Sequence, residues 1–506
     1  MPGRMEFQFA LPKSASTPIR SDPDAPLRIL VMADFSGGYR ETSTSLVDLA
    51  DRSLWRVDVD NLDAIMARLA PKIRLPLNAA TGGTATVISF AQLDDFHPDA
   101  LYRRLELFQA LRRLRARLLN PASFAQAVAE LSPIPPPESR RDEPRSMGDG
   151  DAGTFEQLLG RAPHQPATRP TDPGTTAINA ILKTIVQSHI VHTDPRQSAW
   201  ITAMDTAISE QLRAILHHPT FQALEATWRS VHDLIANLDS DTVHVELLDV
   251  TRGELLADLR AAAGDPKATG LYTLLIDHGV HLRDGQPWSL LIGDYHFGAT
   301  PEDIALLANL GTLAAYAGGP FLAAASPSAL GCASPSALAD PNSWPPLSVE
   351  DQENWRMLRA SAVAPWLGLA VPDILLRLPY GQKTDPVEQL AFEEMPGGRD
   401  PDAYLWGNPA FVCARLIAAA FLENRWEGSL GAILDLGDLP AHIYEESGER
   451  VMQPATAILL GERALQGILA RGVMPILGHR QRNAVRLARF QSLADPPTAL
   501  AGPWEP

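Results

Sequence analysis

Leu27-Arg-Ile-Leu-Val-Met-Ala33 is the stretch of this sequence that decides the fold. The run is short, almost entirely apolar and rich in strand-forming residues, and Asp34 and the Gly37-Gly38 pair follow it. A strand that lacks alternating polar residues is usually buried on both faces, as in a parallel sheet covered by helices. The pattern therefore predicts a buried strand that leads into a loop.

Helical and strand-like patterns alternate along the rest of the chain, which predicts an α/β or α+β fold of mixed sheets flanked by helices. Pro219 should interrupt a long helical pattern because proline has no amide hydrogen to donate. His217 and His218 are expected to cap free carbonyls at the end of the helix before it. Strands are expected at 55–60, 243–248, 271–276 and 289–292, and helices at 61–70, 101–119, 205–238, 301–317 and 409–422.

Composition and charge limit the class of protein. The 506 residues are 45% hydrophobic and 20% charged, which is typical of a soluble globular chain. Sixty acidic against 43 basic residues give a net charge of −17, which disfavours nucleic acid and anionic membrane as partners. Two cysteines are too few for a disulfide framework and favour the cytoplasm. The sequence has no long apolar run, so we expect no membrane insertion.

The composition changes sharply after residue 132. Residues 133–195 include a proline-rich stretch with clustered charges, which cannot bury enough apolar surface to build a core. We predict a flexible linker there, between a first part at 1–132 and a second part at 196–500. Phe155, Leu158 and Leu159 follow Thr154 at helical spacing and predict a short amphipathic helix within the linker.

No pattern in the sequence is typical of a catalytic, cofactor or metal site. Gly381-Gln-Lys-Thr384 lacks the earlier glycine of a phosphate-binding loop, and the His278 and His281 pair lacks a third metal ligand. Segments that combine aromatic residues and arginine stand out instead, at 224–229, 355–359, 377–381 and 404–408. Such side chains either lock a loop onto a core or anchor an interface, and the residues alone leave both possibilities open.

Several segments resemble the contractile sheath of the type VI secretion system. Residues 26–38, 56–66 and 93–99 are similar, in order and spacing, to its small subunit (TssB, also VipA). The similarity to its large subunit (TssC, also VipB) lies in residues 210–229, 293–295, 355–359, 377–381, 392–394 and 404–408. The family usually has the two subunits on separate chains, whereas here one chain resembles both. The large subunit also continues beyond the position of 490–492, so we expect its C-terminal region to be missing.

The resemblance implies a fused sheath protomer that needs no cofactor and performs no catalysis. Its partners would be itself or other sheath subunits, an Hcp-like inner tube protein, baseplate proteins and a ClpV-like AAA+ unfoldase that recycles the sheath. The alternative is a non-polymerising adaptor, terminator or baseplate-associated regulator of the same machine. A soluble enzyme of unknown type is the remote alternative.

The resemblance also assigns candidate site residues. Phe155, Leu158 and Leu159 lie where the family's unfoldase-binding helix would lie. The two parts should pack together as in contractile tail sheath proteins, with Tyr380 packing a turn beside a strand and Trp406 seating a helix start as a core residue. Candidates for the core or interface between the parts are Leu27, Ile29, Val31, Trp228, Arg359, Arg377, Tyr380 and Trp406.

Overall fold

The structure is a computed structural model that describes residues 24–38, 48–76, 85–131, 196–282 and 285–504. These residues form two compact units. The larger unit joins the described residues up to Leu105 with those from Ser209 onward, and the smaller unit contains those from Glu106 to Ile208. All the strands of the described chain belong to the larger unit.

A nine-stranded mixed sheet forms the centre of the larger unit. Strand β1, at Leu27–Ala33, lies between two strands that come from beyond the predicted linker. It runs parallel to β5 at Val243–Asp249 on one side and to β6 at Leu290–Phe297 on the other. The predicted buried strand is confirmed, and the sheet combines strands from both parts of the chain.

Burial explains why β1 lies inside the sheet and not at its edge. Ile29, Leu30, Val31 and Met32 have no exposed surface. Each such side chain contributes roughly 2 kcal/mol of hydrophobic stabilisation, because both faces of the strand are covered. A sheet built without β1 would leave β5 and β6 with unpaired backbone groups, which are costly when they are buried.

The other strands of this sheet are β2 (Trp55–Val57), β7 (Phe321–Ala325), β8 (Leu367–Val371), β11 (Asp435–Leu436), β14 (Met474–Gly478) and β15 (Val485–Leu487). The order across the sheet is β11-β15-β14-β8-β7-β6-β1-β5-β2. Three two-stranded sheets accompany it in the described chain: β3 (Lys72–Leu75) with β4 (Thr86–Ser89), β9 (Ile374–Leu375) with β10 (Trp406–Gly407), and β12 (Ile443–Glu446) with β13 (Glu449–Met452).

Within the larger unit, helices flank the sheet, which confirms the predicted fold class. The described chain has helices in both units. In chain order they are α1 (Leu62–Leu69), α2 (Pro98–Arg104), α3 (Glu106–Leu119), α4 (Pro121–Leu131), α5 (Gln197–Leu216), α6 (Pro219–Ile235), α7 (Arg252–Ala261), α8 (Pro301–Ala317), α9 (Val349–Arg359), α10 (Ala410–Asn424) and α11 (Glu462–Ala470). Helices α8 and α10 both contact β6, β7 and β8. None of the described helices combines the length and apolar character needed to cross a bilayer.

The smaller unit contains α3, α4 and the first turns of α5. Arg115 of α3 forms an ion pair with Asp205 of α5 at 2.5 Å. The side-chain amide of Gln197 donates to the carbonyl of Leu118 at 2.7 Å. Polar contacts therefore tie α5 to α3 within this unit.

Most of the predicted elements are confirmed to within a few residues. The helix expected at 301–317 occupies those residues, and the strands expected at 243–248 and 289–292 are β5 and β6. The helical pattern expected at 205–238 does break before Pro219, between α5 and α6. Short-range periodicity was sufficient for these elements because each has a clear boundary residue.

The strand predicted at 271–276 is wrong. Gly270–Tyr272 is a helical turn that continues as a π-helix at Thr273–Val280. The carboxylate of Asp258 accepts hydrogen bonds from the first two amides, and Thr269 caps the third at 3.1 Å. A short apolar run does not distinguish a buried strand from a buried helix, and the capping partner Asp258 is distant in sequence.

The single helix predicted at 101–119 is also wrong. The chain forms two helices there, α2 and α3, because Leu105 adopts an extended conformation with ψ of 131°. Leu105 is still buried, so the apolar stripe continues across the break. Periodicity alone could not reveal this break in the helix.

Candidate functional site

The two parts of the chain meet within the larger unit, and the contacts begin at β1. Arg28 forms an ion pair with Glu246 of β5 at 2.8 Å and donates to the carbonyl of Gln286 at 2.6 Å. Its guanidinium also lies 4.0 Å from the centre of the Trp288 ring. Arg28 of the first part therefore contacts β5 on one side of β1 and the loop that precedes β6 on the other.

The loop after β1 is fixed by the second part. The carboxylate of Asp249 accepts hydrogen bonds from the amides of Phe35 at 2.9 Å and Ser36 at 3.2 Å. Trp228 of α6 donates its indole N–H to the carbonyl of Phe35 at 3.2 Å, and the two rings pack edge to face with centroids 5.2 Å apart. Trp228 is fully buried, so it acts as an aromatic anchor between the parts.

A second aromatic group joins the parts near α2. Phe90 and Phe96 of the first part stack with centroids 4.3 Å apart. Phe221 of α6 packs edge to face on both, at 5.8 and 5.6 Å. All three rings are buried, which makes this contact part of a shared hydrophobic core.

Asp99, at the start of α2, binds a loop of the second part. Its carboxylate accepts hydrogen bonds from the amides of Glu388 at 2.9 Å and Gln389 at 3.2 Å. The neighbouring His97 packs edge to face on Tyr380, with ring centroids 4.9 Å apart. The start of α2 therefore packs against the segment from Tyr380 to Gln389 of the second part.

Beneath this segment lies a buried cluster of charged groups. Arg377 forms ion pairs with Glu225 at 2.9 Å and Glu394 at 2.8 Å, and neither glutamate side chain is exposed. Arg229 binds Glu225 at 2.8 Å and donates to the hydroxyl of Tyr380 at 3.0 Å. The amide of Tyr380 donates to Glu394 at 2.7 Å. We call Glu225, Arg229, Arg377, Tyr380 and Glu394 the ionic cluster.

The opposite charges of the ionic cluster stabilise each other's ionised forms. Burial disfavours the charged form of Glu394, but the charge of Arg377, the neighbouring His217 ring and the hydrogen bonds from Arg377 and the amide of Tyr380 outweigh it and lower its pKa to about 2. Burial likewise disfavours the charged form of Arg377, yet Glu225 and Glu394 raise its pKa above the ordinary value. Burial raises the pKa of Tyr380, so its hydroxyl stays protonated. The arrangement stabilises fixed charges and positions a loop.

Two family models match this chain, one on each side of the predicted linker. The model described as EvpB/VC_A0108, tail sheath N-terminal domain (VipB), matches residues 198–494. The chain belongs to the type VI secretion sheath family. A second model, described as type VI secretion system, VipA, VC_A0107 or Hcp2, matches residues 17–132. The protein is therefore a fused sheath protein that carries both sheath-subunit regions.

Curated relatives agree with this assignment. The sheath protein is 30% identical to the type VI secretion system sheath protein TssC1 of Pseudomonas aeruginosa over 340 residues, which cover 64% of this chain and 68% of the relative. It is 34% identical to the sheath protein TssB1 of the same organism over 98 residues, which cover 19% of this chain and 55% of that relative. The contacts described above thus lie between regions that resemble two different sheath proteins.

The structure brings most of the predicted interface residues of the sheath protein together. Leu27, Ile29 and Val31 are buried in β1 between strands of the second part. Trp228 and Tyr380 contact Phe35 and His97 of the first part, as described above. Arg377 packs against Tyr380, with its guanidinium 4.2 Å from the centre of that ring.

Arg359 and Trp406 are placed differently. Arg359 donates to the carbonyl of Leu493 at 3.0 Å, and Trp406 donates to that of Pro401 at 2.9 Å, so these bonds stay within the second part. Trp406 is only half-buried, which makes its prediction as a core residue wrong. Asn408 seats the helix start instead, because its buried side chain accepts from the amide of Ala410 at 2.9 Å.

The role predicted for His217 and His218 is also wrong. The ring of His218 accepts a hydrogen bond from the amide of Thr220 at 3.2 Å, so it caps the start of α6 instead of the end of α5. His217 faces Glu394 at 3.4 Å. Proline at the first position of α6 has no amide hydrogen, but the next amides, including that of Thr220, still need an acceptor, which an imidazole nitrogen can supply.

Sequence reasoning missed Asp99 as an interface residue, and it missed Glu225 and Glu394 as members of the ionic cluster. Asp99 and Glu394 lie in segments that carry the family resemblance, so a signal was present without a stated role. Glu225 sits on the same helix face as the predicted Trp228, one turn earlier, and faces the core. A buried glutamate among apolar residues is the pattern that points to a buried arginine partner.

Two further expectations concern sites outside this interface. The predicted linker helix with Phe155, Leu158 and Leu159 lies outside the described residues. Within the described ranges, no three histidine, cysteine, aspartate or glutamate side chains are placed to hold a metal ion.

Proposed function

We propose that the protein is a sheath protomer that assembles around an inner tube and propels it when the sheath repacks from an extended to a contracted state. The observation that carries this proposal is β1, which belongs to the region matched by the small-subunit model and lies between two strands of the region matched by the large-subunit model. In such a protomer neither region can separate from the other without breaking the shared sheet. Fusion also fixes their ratio at one to one.

The mechanism proposed is mechanical. Heterologous contacts between identical copies generate an open helical assembly when the rotation does not close. Free energy is then stored in interfaces that have two packing arrangements, and it is released when the copies change from one arrangement to the other. The shared sheet and the ionic cluster support this role because they keep each protomer intact while the contacts between copies change.

We also propose that the protein performs no catalysis. Its two cysteines, Cys332 and Cys413, are both buried. Burial raises the pKa of Cys413 to about 12, so its thiol is protonated at neutral pH and is a poor nucleophile. The ionic cluster has no exposed carboxylate in a position to transfer a proton, because both of its glutamates are fully buried.

The proposed partners are further copies of this chain or other sheath subunits, an Hcp-like inner tube protein, baseplate proteins and a ClpV-like unfoldase. Phe155, Leu158 and Leu159 are the proposed contact for the unfoldase, since an amphipathic turn can enter a hydrophobic groove. The cytoplasm is the proposed location. The support for these partners is the family membership and the spacing of the apolar residues.

Negative-stain electron microscopy of the purified full-length protein tests the proposal. Long striated tubules are the expected result. Rings or single particles at all protein concentrations would contradict polymerisation and would favour a non-polymerising adaptor or baseplate-associated regulator. The unfoldase contact has its own test: a peptide of residues 150–165 should bind the N-terminal domain of the unfoldase at micromolar strength, about −8 kcal/mol. Leu158→Asp should abolish that binding.

A further inference from the structure

The C-terminal third of the chain carries an unusually basic segment. Between Arg463 and Ala494 the sequence has no aspartate, glutamate or lysine, although the whole chain carries a net charge of −17. The arginines of this segment are Arg463, Arg471, Arg480, Arg482, Arg486 and Arg489. Positive charge is therefore concentrated in one place on an acidic protein.

Some of these arginines already have partners. Arg486 forms an ion pair with Asp435 at 2.5 Å, Arg489 donates to Gln491, and Arg471 lies over the ring of Trp344. Arg480 and Arg482 are exposed and form no ion pair with any described residue. Both belong to the turn between β14 and β15, which we call the arginine turn (479–484).

The backbone of the arginine turn is held in place. Gly478 and Val485 are the last paired residues of β14 and β15, and the carbonyl of Asn483 accepts from the amide of Leu439 at 3.0 Å. The turn lies near one edge of the sheet, where β15 pairs with the short outer strand β11. Two guanidinium groups are thus presented to solvent from a fixed backbone.

A complementary surface lies on the hairpin formed by β12 and β13, which we call the acidic hairpin (443–452). Its terminal pair places Glu446 directly opposite Glu449, and both side chains are exposed. Like charges directly opposite each other destabilise a strand pair. A two-stranded hairpin is itself only marginally stable, and this one also exposes 56% of Ile443. A cationic partner would relieve the repulsion, and contact would cover the isoleucine.

We propose that the acidic hairpin of one copy docks against the arginine turn of the next copy. The partner is a second copy of this chain because both complementary charged surfaces are present on it and neither uses the other within the described chain. Copies with a large negative net charge repel each other, so a local contact of opposite charges selects one orientation. The contact joins two different surfaces, so it generates an open assembly when the rotation between successive copies does not close. This inference rests on the proposed function as a sheath protomer.

Charge reversal in the full-length protein tests the contact. One variant carries Arg480→Glu with Arg482→Glu, a second carries Glu446→Arg with Glu449→Arg, and a third combines all four changes. Self-association is measured by sedimentation velocity at low and at physiological salt, together with negative-stain imaging. The control, Arg113→Glu with Arg463→Glu, changes two other exposed arginines and alters the net charge as the first variant does.

Each variant that changes only one surface should weaken self-association at least about tenfold. The variant with all four changes should restore most of the self-association, because opposite charges face each other again. The control should associate as the unchanged protein does. Raising the salt concentration should weaken the self-association of the unchanged protein. Either of two results would overturn the contact: a monomeric unchanged protein at about 100 μM in low salt, or single-surface variants that match the control. Tubules that persist in those variants would reject the contact and leave the proposed function standing. Oligomers that respond to the charge reversals but never form tubules would support the contact and contradict the proposed function.

Discussion

Arg377 is the residue on which two buried carboxylates depend. Replacing it with methionine would leave Glu225 and Glu394 buried without their shared counter-charge, which should lower the free energy of unfolding by about 3–5 kcal/mol. Urea denaturation followed by tryptophan fluorescence measures this change. The matched control is Arg356→Met, which breaks the exposed pair with Glu353 and should leave stability unchanged. Equal effects of the two changes would show that the ionic cluster contributes nothing beyond a surface pair.

The same cluster predicts a dependence of stability on pH. The pKa of Glu394 is about 2 in the folded protein, against an ordinary value of 4.5. A lowered folded-state pKa stabilises the protein above pH 4.5, and this contribution disappears as the pH falls from 4.5 towards 2. The difference in unfolding free energy between the unchanged protein and Glu394→Gln should therefore be largest near neutral pH and shrink below pH 4.5. A difference that stays constant down to pH 3 would contradict the assigned ionisation.

At the scale of elements, Asn408 determines where α10 begins. Its side chain accepts from the amide of Ala410 and donates to the carbonyls of Gly293 and Tyr295, and it is buried. Asn408→Ala removes the three hydrogen bonds of this buried side chain, so it should cost about 3 kcal/mol. Trp406→Ala should cost clearly less, because that ring is half-buried. Thermal unfolding of both variants checks the order, and a larger loss for Trp406→Ala would restore tryptophan as the anchor.

The elements also separate what the sequence could predict from what it could not. Helix α8 was predictable because Thr300 caps its start and Gly318 ends it in the left-handed conformation, and both signals are local. The run at 271–276 was not, because the carboxylate that fixes its first amides comes from Asp258 of α7. β1 was predictable as a buried strand, but its neighbours β5 and β6 lie more than two hundred residues away.

The candidate interface divides in the same way. Trp228 and Tyr380 could be singled out because large rings beside turn-forming residues usually anchor something. The partners of these rings, Phe35 and His97, could not be predicted, since pairing across the two parts is a property of the tertiary fold. The prediction for Trp406 was wrong because the sequence shows a tryptophan beside a helix start but does not show whether its ring is buried.

At the scale of the whole molecule, the two regions of the sheath protein are interdependent. β1 contributes a buried strand to a sheet in which both of its neighbours, β5 and β6, come from the second part. Without the first part, β5 and β6 would lose the strand that lies between them. Without the second part, the apolar side chains of β1 would be exposed to water and would promote aggregation. The central claim is therefore that the two regions form one folding unit and are not independent domains.

Production of residues 1–132 and 196–506 as separate chains, alone and together, tests this claim most directly. The two chains should co-purify as a one-to-one complex when they are produced together. Each should be insoluble or lack a cooperative thermal transition when produced alone. The contradictory result is two chains that are each soluble and cooperatively folded on their own and that do not co-purify when mixed or co-expressed.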